Sequence, residues 1–263
     1  MVRAIVIEKF GGPDSLVCTE LPDPEPEAGQ VVIDIKAFGL NHAEMHMRRG
    51  EWAEAAKVSG IECVGLVASC PGGEFPVGTK AAALMGGLGR TVNGSYAEYT
   101  RASASNVALI ESDLPWAEPA VIPETYATAW TCLFRNLEIT PERTLVIRGA
   151  TSAFGQAAVN LAVNAGAHVI GTTRNREHFA LLEEPNPLLQ MASGVYLTFF
   201  GSFVFGTPGF PLSDVPLQAI AEQVAAGRLK AKPSRVFRFE DIHEAHRVME
   251  AGEAKGKMVV VLD

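Results

Sequence analysis

Val146-Ile147-Arg148-Gly149-Ala150-Thr151-Ser152-Ala153-Phe154-Gly155-Gln156-Ala157-Ala158 places a short apolar run, a turn of small residues and the start of an alanine-rich helix in immediate succession. The pattern predicts a strand over 144–148 and a helix over 155–164. A turn at Gly166, a second strand over 168–171 and then Thr172-Thr173-Arg174-Asn175-Arg176 complete the unit. Two parallel strands joined by a helix form a right-handed βαβ crossover. In its turn, Thr151, Ser152 and Ala153 are small enough to let a phosphate approach the backbone. The helix N-terminus at Phe154 and Gly155 supplies free N–H groups and the positive end of the helix dipole. The turn departs from G-x-G-x-x-G, so the second strand behind it carries the reading as a dinucleotide cradle.

The residues closing the second strand choose the dinucleotide. An acidic side chain there would bind a ribose 2′-hydroxyl and repel a phosphate, whereas this chain offers Thr172, Thr173 and Arg174, with Arg176 and His178 one turn on. Hydroxyls and a guanidinium suit a 2′-phosphate, which predicts NADPH rather than NADH. Basic residues at a helix start are otherwise placed against the dipole.

Upstream of this unit the texture is different. Short β runs over 4–7, 31–38, 65–69, 80–84 and 96–100 are separated by Gly and Pro, and Pro22-Asp23-Pro24-Glu25-Pro26 cannot join a sheet ladder. Helical periodicity begins near Glu118, with Ala127, Trp130, Phe134 and Leu137 on one face and Thr140-Pro141 as its stop. The organisation predicted is an α/β chain: a β domain over 1–118, a doubly wound nucleotide-binding domain over 119–230, and a return to the first domain over 231–263. A complete six-stranded doubly wound domain takes about 120 to 140 residues. Helices expected over 176–184 and 188–192 are separated only by Pro185, Asn186 and Pro187, so the second domain reads as shortened after Glu184, by about two βα units of ~30 residues each.

Composition bounds the rest. The 263 residues, 48% apolar and 20% charged, are those of a globular protein, and the net charge of −8 argues against a nucleic-acid surface. Four scattered cysteines without C-x-x-C spacing indicate neither a zinc knuckle nor a disulfide framework, and suit a reducing cytoplasm. No leader and no membrane-spanning run is expected.

Taken in order, the β half, the Thr128-Ala129-Trp130 helix, the cradle and the closing Gly256-Lys257-Met258-Val259-Val260 resemble the medium-chain dehydrogenase/reductase superfamily. The likeness is strongest to its zinc-free quinone oxidoreductase branch, with a GroES-like β domain and a Rossmann domain. It implies an NADPH-dependent reduction of a quinone or α,β-unsaturated carbonyl. It also implies that Asn41 faces the nicotinamide side of the cleft, with Glu44 nearby and Trp52 where relatives often carry a tyrosine. Thr128, Ser202 and Phe203 are expected near the same ring, and Lys257 near the adenine-side phosphate. Zinc-dependent relatives carry ligands at positions that read here Asn41 and Ile61, with a third near Glu124, so no metal is expected: isoleucine cannot bind one. Trp52 cannot act as an acid, since an indole only donates a hydrogen bond. His243-x-x-His246 has a spacing compatible with a metal but reads as a solvated helix face. An apolar strand is expected over 195–200, with Gly201-Ser202-Phe203 as the turn after it, and two copies are expected to pair as a homodimer through the 195–205 region. The alternative to an enzyme is a shortened, non-catalytic relative that serves as a dimerising scaffold; a zinc alcohol dehydrogenase with unusual ligands is a third reading.

Overall fold

The computed structural model describes residues 1–173 and 200–262. The chain opens with an antiparallel hairpin, β1 (Val2–Ile7) and β2 (Leu16–Leu21), and continues through β3 (Gln30–Gly39), α1 (His42–Arg49), β4 (Glu62–Ser69), β5 (Lys80–Leu84), β6 (Tyr99–Ser103) and β7 (Val107–Leu109). Then come α2 (Pro123–Trp130), β8 (Thr144–Arg148), α3 (Ala153–Asn164) and β9 (His168–Thr172). After residue 200 come α4 (Leu217–Ala225), β10 (Arg235–Arg238), α5 (Ile242–Glu250) and β11 (Met258–Val261). Arg174, Arg176, His178, the helices expected over 176–184 and 188–192, the junction after Glu184 and most of the strand expected over 195–200 lie outside the described residues. Among the described residues no helix is long and apolar enough to cross a membrane.

The main sheet runs β10-β11-β3-β4-β5-β7, with β6 also on β3, and it is antiparallel except for β10 and β11. The last strand thus returns from the far end of the chain to pair with β3. β3 is ten residues long and serves two neighbours on one edge: Gln30 to Asp34 pair with β6, and Ala37 to Gly39 with β11. Its register with β4 shifts between Ile35 and Ala37. A slip of one residue exchanges the two faces of a strand. Accordingly Val31, Ile33 and Ile35 enter the core of the β half, while Ala37 enters the core shared with α2, α3 and α4. Val64, Ala82 and Val259 face that same shared core from β4, β5 and β11. Side chains two residues away, Glu62 on β4 and Lys257 just before β11, therefore project toward the half that contains α2, α3 and α4.

In that half β8 and β9 pair in parallel register from Thr144 with His168 to Arg148 with Thr172, bridged by α3. Ser152 caps α3, its Oγ accepting from Gly155 N–H at 3.0 Å. Gly155 admits no side chain: an added Cβ would lie 2.3 Å from the Gly149 carbonyl oxygen, so the helix and the strand end are in backbone contact. Among the described residues β8 and β9 form this sheet by themselves.

Some local expectations change. The strand expected over 96–100 lies three residues later, at Tyr99–Ser103; Ala97 makes an isolated bridge to Ala4, and Tyr96 is wholly buried and stacked on Phe38 at 4.7 Å. Gly201 leads into a single tight turn at Ser202–Val204, where the sequence places the turn after the strand expected over 195–200. The His243-x-x-His246 face is not solvated. His243 Nε2 meets the Leu16 carbonyl at 2.6 Å, and His246 is fully buried between Arg48 Nε at 3.3 Å and Tyr96 Oη at 3.0 Å. Charged residues on the other face of α5 hid this amphipathic pattern, because the buried stripe itself contains a histidine.

Candidate functional site

Two cavities meet between the halves. The larger, about 780 Å³, is lined by the cradle residues Thr151, Ser152, Ala153 and Phe154, by Thr172 and Thr173 at the end of β9, and by Arg148, Lys255 and Gly256. The smaller, about 290 Å³, is lined by Trp52, Ile61, Met85, Arg90, Ser202 and Phe203. Asn41, His42 and Glu124 belong to both walls and mark the junction.

The larger cavity suits a phosphate-bearing ligand. Its floor is the N-terminus of a twelve-residue helix, whose first N–H groups lack intrahelical partners apart from the one that Ser152 takes. Gly149 at φ +72° turns the chain from β8 into the cradle. Gly155 lies under the cradle rather than on its wall, and its role is the close approach to Gly149. Thr151 and Thr173 hydroxyls stand 3.3 Å apart across the two strand ends. Arg148, unforeseen in the sequence, adds a guanidinium at the mouth; a cationic side chain closing the first strand of a βαβ unit is the signal that could have found it.

At the junction lies a buried polar cluster. Asn41 is the N-cap of α1, and Glu44 returns its carboxylate to the Asn41 N–H at 2.6 Å, a capping box. The other Glu44 oxygen accepts from Ile61 N–H at 3.2 Å. Burial pushes the Glu44 carboxyl up to about 7, against the opposing pull of Lys257 and the Asn41 bonds. Glu44 thus secures the loop that presents Asn41 and lines neither cavity. Asn41 spends its amide on Glu62 at 2.9 Å, and its Oδ1 accepts from Lys257 Nζ at 2.5 Å. Lys257 also forms a buried ion pair with Glu62. The ammonium is therefore held in this cluster and not at the cradle phosphates, where the family resemblance had placed it. Room for the pair comes from Gly39, where a Cβ would lie 2.5 Å from both Glu62 Oε1 and Lys257 Cε.

Glu62 Oε2 accepts from the Glu124 N–H at 2.7 Å, so one carboxylate both neutralises Lys257 and caps the start of α2. The Glu124 carboxyl accepts from Thr128 Oγ1 at 3.0 Å and bonds Ser202. Burial, reinforced by the nearby Glu62, raises its pKa, with Lys257 pulling the other way. Thr128 thus reaches the junction through Glu124, while Ser202 and Phe203 border the small cavity directly. Trp52 stacks on His46 at 5.8 Å and is 39% exposed, so it is a wall of the small cavity and not a core aromatic. His42 borders both cavities, its pKa lowered by partial desolvation and by the nearby His46 and Lys257 charges. Among the described residues no three His, Cys, Asp or Glu side chains converge as a metal site.

Residues 27–112 match the family model "Alcohol dehydrogenase GroES-like domain", and residues 146–260 match "Zinc-binding dehydrogenase". The quinone oxidoreductase of Lama guanicoe is 28% identical over 185 residues, which cover 67% of this chain and 54% of the relative. The chain thus spans about half the length of that relative. The solved quinone oxidoreductase from Coxiella burnetii superposes with a TM-score of 0.80 at 21% identity, covering 100% of this chain and 99% of the other. A mycobacterial protein solved in complex with NADPH gives 0.80 at 20% identity, covering 99% of this chain and 100% of its own. At such identities the two structures speak for the fold, an α/β pair of domains. With its two family matches and quinone oxidoreductase relatives, the chain belongs to the medium-chain dehydrogenase/reductase superfamily, as a quinone-oxidoreductase-like member.

Proposed function

We propose that the protein is an NADPH-dependent, zinc-independent reductase of quinones or α,β-unsaturated carbonyls. The observation that carries this reading is the junction, where a phosphate cradle and a small, largely apolar cavity share Asn41, His42 and Glu124. Thr151, Ser152, Ala153, Phe154 and the α3 N-terminus would hold the pyrophosphate, and Thr172 and Thr173, with Arg174 beyond them in sequence, the 2′-phosphate. When bound, the nicotinamide supplies a hydride. The protein's own groups fix the acceptor: hydrogen-bond donors at the junction polarise a carbonyl, and the apolar wall excludes water.

Zinc has no suitable donor set here. Of the positions that hold it in zinc-dependent relatives, one is the buried Ile61 and another is Asn41, already committed to Lys257 and Glu62. Conjugated acceptors tolerate the lack of a Lewis acid, because charge spreads over the π system as it is reduced. The proton that must follow has a donor at hand in Glu124, whose raised pKa keeps it protonated further toward neutrality than an exposed glutamate.

The test is a fluorescence titration with NADPH and NADH, followed by NADPH oxidation with menadione and with a simple enone, each with and without a strong chelator. Tighter NADPH binding and chelator-insensitive turnover are expected. Equal affinity for the two nucleotides would remove the 2′-phosphate reading, and failure to bind either would leave the scaffold reading in its place.

A further inference from the structure

The small cavity has a cation that the proposed chemistry does not use. Arg90 closes the turn Gly86-Gly87-Leu88-Gly89, in which the glycines take φ of +61°, +90° and +72° and Met85 takes +58°. Glycine takes such backbone at low cost and Met85 at a higher one, so the conformation of the turn that leads into Arg90 is closely specified. The Arg90 N–H is held on the Gly87 carbonyl at 3.0 Å. Its guanidinium carbon lies 6.0 Å from the Trp52 ring, and Nη2 holds the Glu54 carboxylate at 2.7 Å. Nε, by contrast, is buried with no hydrogen-bond partner among the described residues. A buried donor left unmade is costly, and the more so on a charged group. Beside a ligand cavity, such a donor suits an oxygen of the ligand.

The cavity is polarised end to end. Asn41, His42 and Glu124 stand at its junction with the cradle, while Trp52, Met85 and Arg90 line the small cavity alone. Among the described residues Arg90 is the one permanently charged cation of this wall, whose other basic side chain is the His42 imidazole. An anion is favoured at the Arg90 end of the wall, beside the guanidinium. Glu54 does not satisfy the site, because its carboxylate is 52% exposed, and exposed pairs are worth little.

We infer that Arg90 is a specificity-determining residue that anchors a carboxylate on the substrate, so that the substrate class is an acidic enone or quinone whose anionic group lies away from the reacting carbonyl. This rests on the reductase reading above. The carbonyl end then faces Asn41 and Glu124, and the carboxylate end faces Arg90 and the edge of Trp52.

The probe pair is 6-oxohept-4-enoate and its methyl ester, in which two methylenes insulate the enone from the change of charge. Wild-type protein should reduce the acid with a KM ~10-fold or more below that of the ester, the scale of a hydrogen bond to a charged group. Arg90→Leu should erase that difference, raising KM for the acid ~10-fold or more relative to KM for the ester. Arg90→Lys should restore part of it. Glu54→Gln, an exposed change that does not threaten folding, should lower KM for the acid and leave the ester alone. Equal KM values for acid and ester in the wild type, or a preference that survives Arg90→Leu, would overturn the inference. Calorimetric titration with saturated 6-oxoheptanoate and its ester keeps this idea separable from the activity itself. If menadione and both enones go unreduced, the reductase reading fails; tight binding of the acid lost in Arg90→Leu would still uphold the anchor, and equal weak binding of acid and ester would sink it.

Discussion

The pair formed by Lys257 and Glu62 decides what the residues around the junction can do. Both are out of water, and their attraction must outweigh the cost of desolvating two charges. Asn41 and the Glu124 N–H add the bonds that a buried pair needs. Removing one partner alone should therefore be severe: Lys257→Met is expected to cost ~3–5 kcal/mol in urea unfolding, because it strands a buried carboxylate. Lys257→Met combined with Glu62→Gln should recover most of the loss, since the glutamine oxygen still accepts from Glu124. If the single and double variants are equally unstable, the pair is not what holds the cluster. Sequence alone could not find this arrangement. Gly39, Glu62 and Lys257 are distant along the chain, and only the face exchange at the Ile35–Ala37 bulge brings a glycine between the two charges.

Among the elements, the β8–α3–β9 unit carries the cofactor reading, and its two glycines do different work. At Gly155 the obstacle is space, with a Cβ 2.3 Å from the Gly149 oxygen and 2.6 Å from Ala150 Cα. Gly155→Ala should force the helix away from the strand end, lowering stability by ~1–3 kcal/mol and weakening NADPH binding with it. At Gly149 the obstacle is φ alone, since a Cβ there would meet nothing within 4 Å. Gly149→Ala should cost ~1–2 kcal/mol in stability while leaving the helix N-terminus in place. Thermal melts and dinucleotide titrations on both variants check this, and equal loss of affinity in the two would contradict the distinction. The strand–turn–helix pattern was legible from local chemistry because each part of it is specified by neighbours in sequence. The boundaries of β6, and the existence of β2 and β7, were not, because pairing partners 60 or more residues away in the chain decide them for β6.

For the whole molecule, two buried titratable groups tie stability to pH in opposite directions. Glu44 keeps its proton in the fold up to about 7, against an ordinary 4.5, because it is buried. Its contribution is complete below about 4.5 and is lost as pH rises through about 7. His246 is lowered from 6.5 to about 3, by burial first and the Arg48 charge second. Its contribution is complete above about 6.5 and is lost as pH falls toward 3. Relative to wild type, Glu44→Gln should therefore gain stability as pH rises between about 4.5 and 7. His246→Gln should gain it as pH falls from about 6.5. Chemical unfolding across pH reads both slopes, and parallel profiles for the variants and the wild type would refute them. His246 matters at this scale because it joins Arg48 on α1 to Tyr96 beneath the main sheet, packing α5 onto the β half.

What the sequence by itself determined is the order of parts: a β half, a cradle of small residues on a helix N-terminus, hydroxyls at the end of the next strand, and a return strand. Those features are local, set by periodicity, turn chemistry and helix capping. The tertiary structure decided the rest. It turned Lys257 away from the cradle into a buried pair, gave Glu44 to the α1 cap, buried His246, and set Arg90 on the wall of a cavity shared with Trp52. Each outcome depends on which faces of distant strands and helices meet, and burial then fixes the charge, partners and reach of each group.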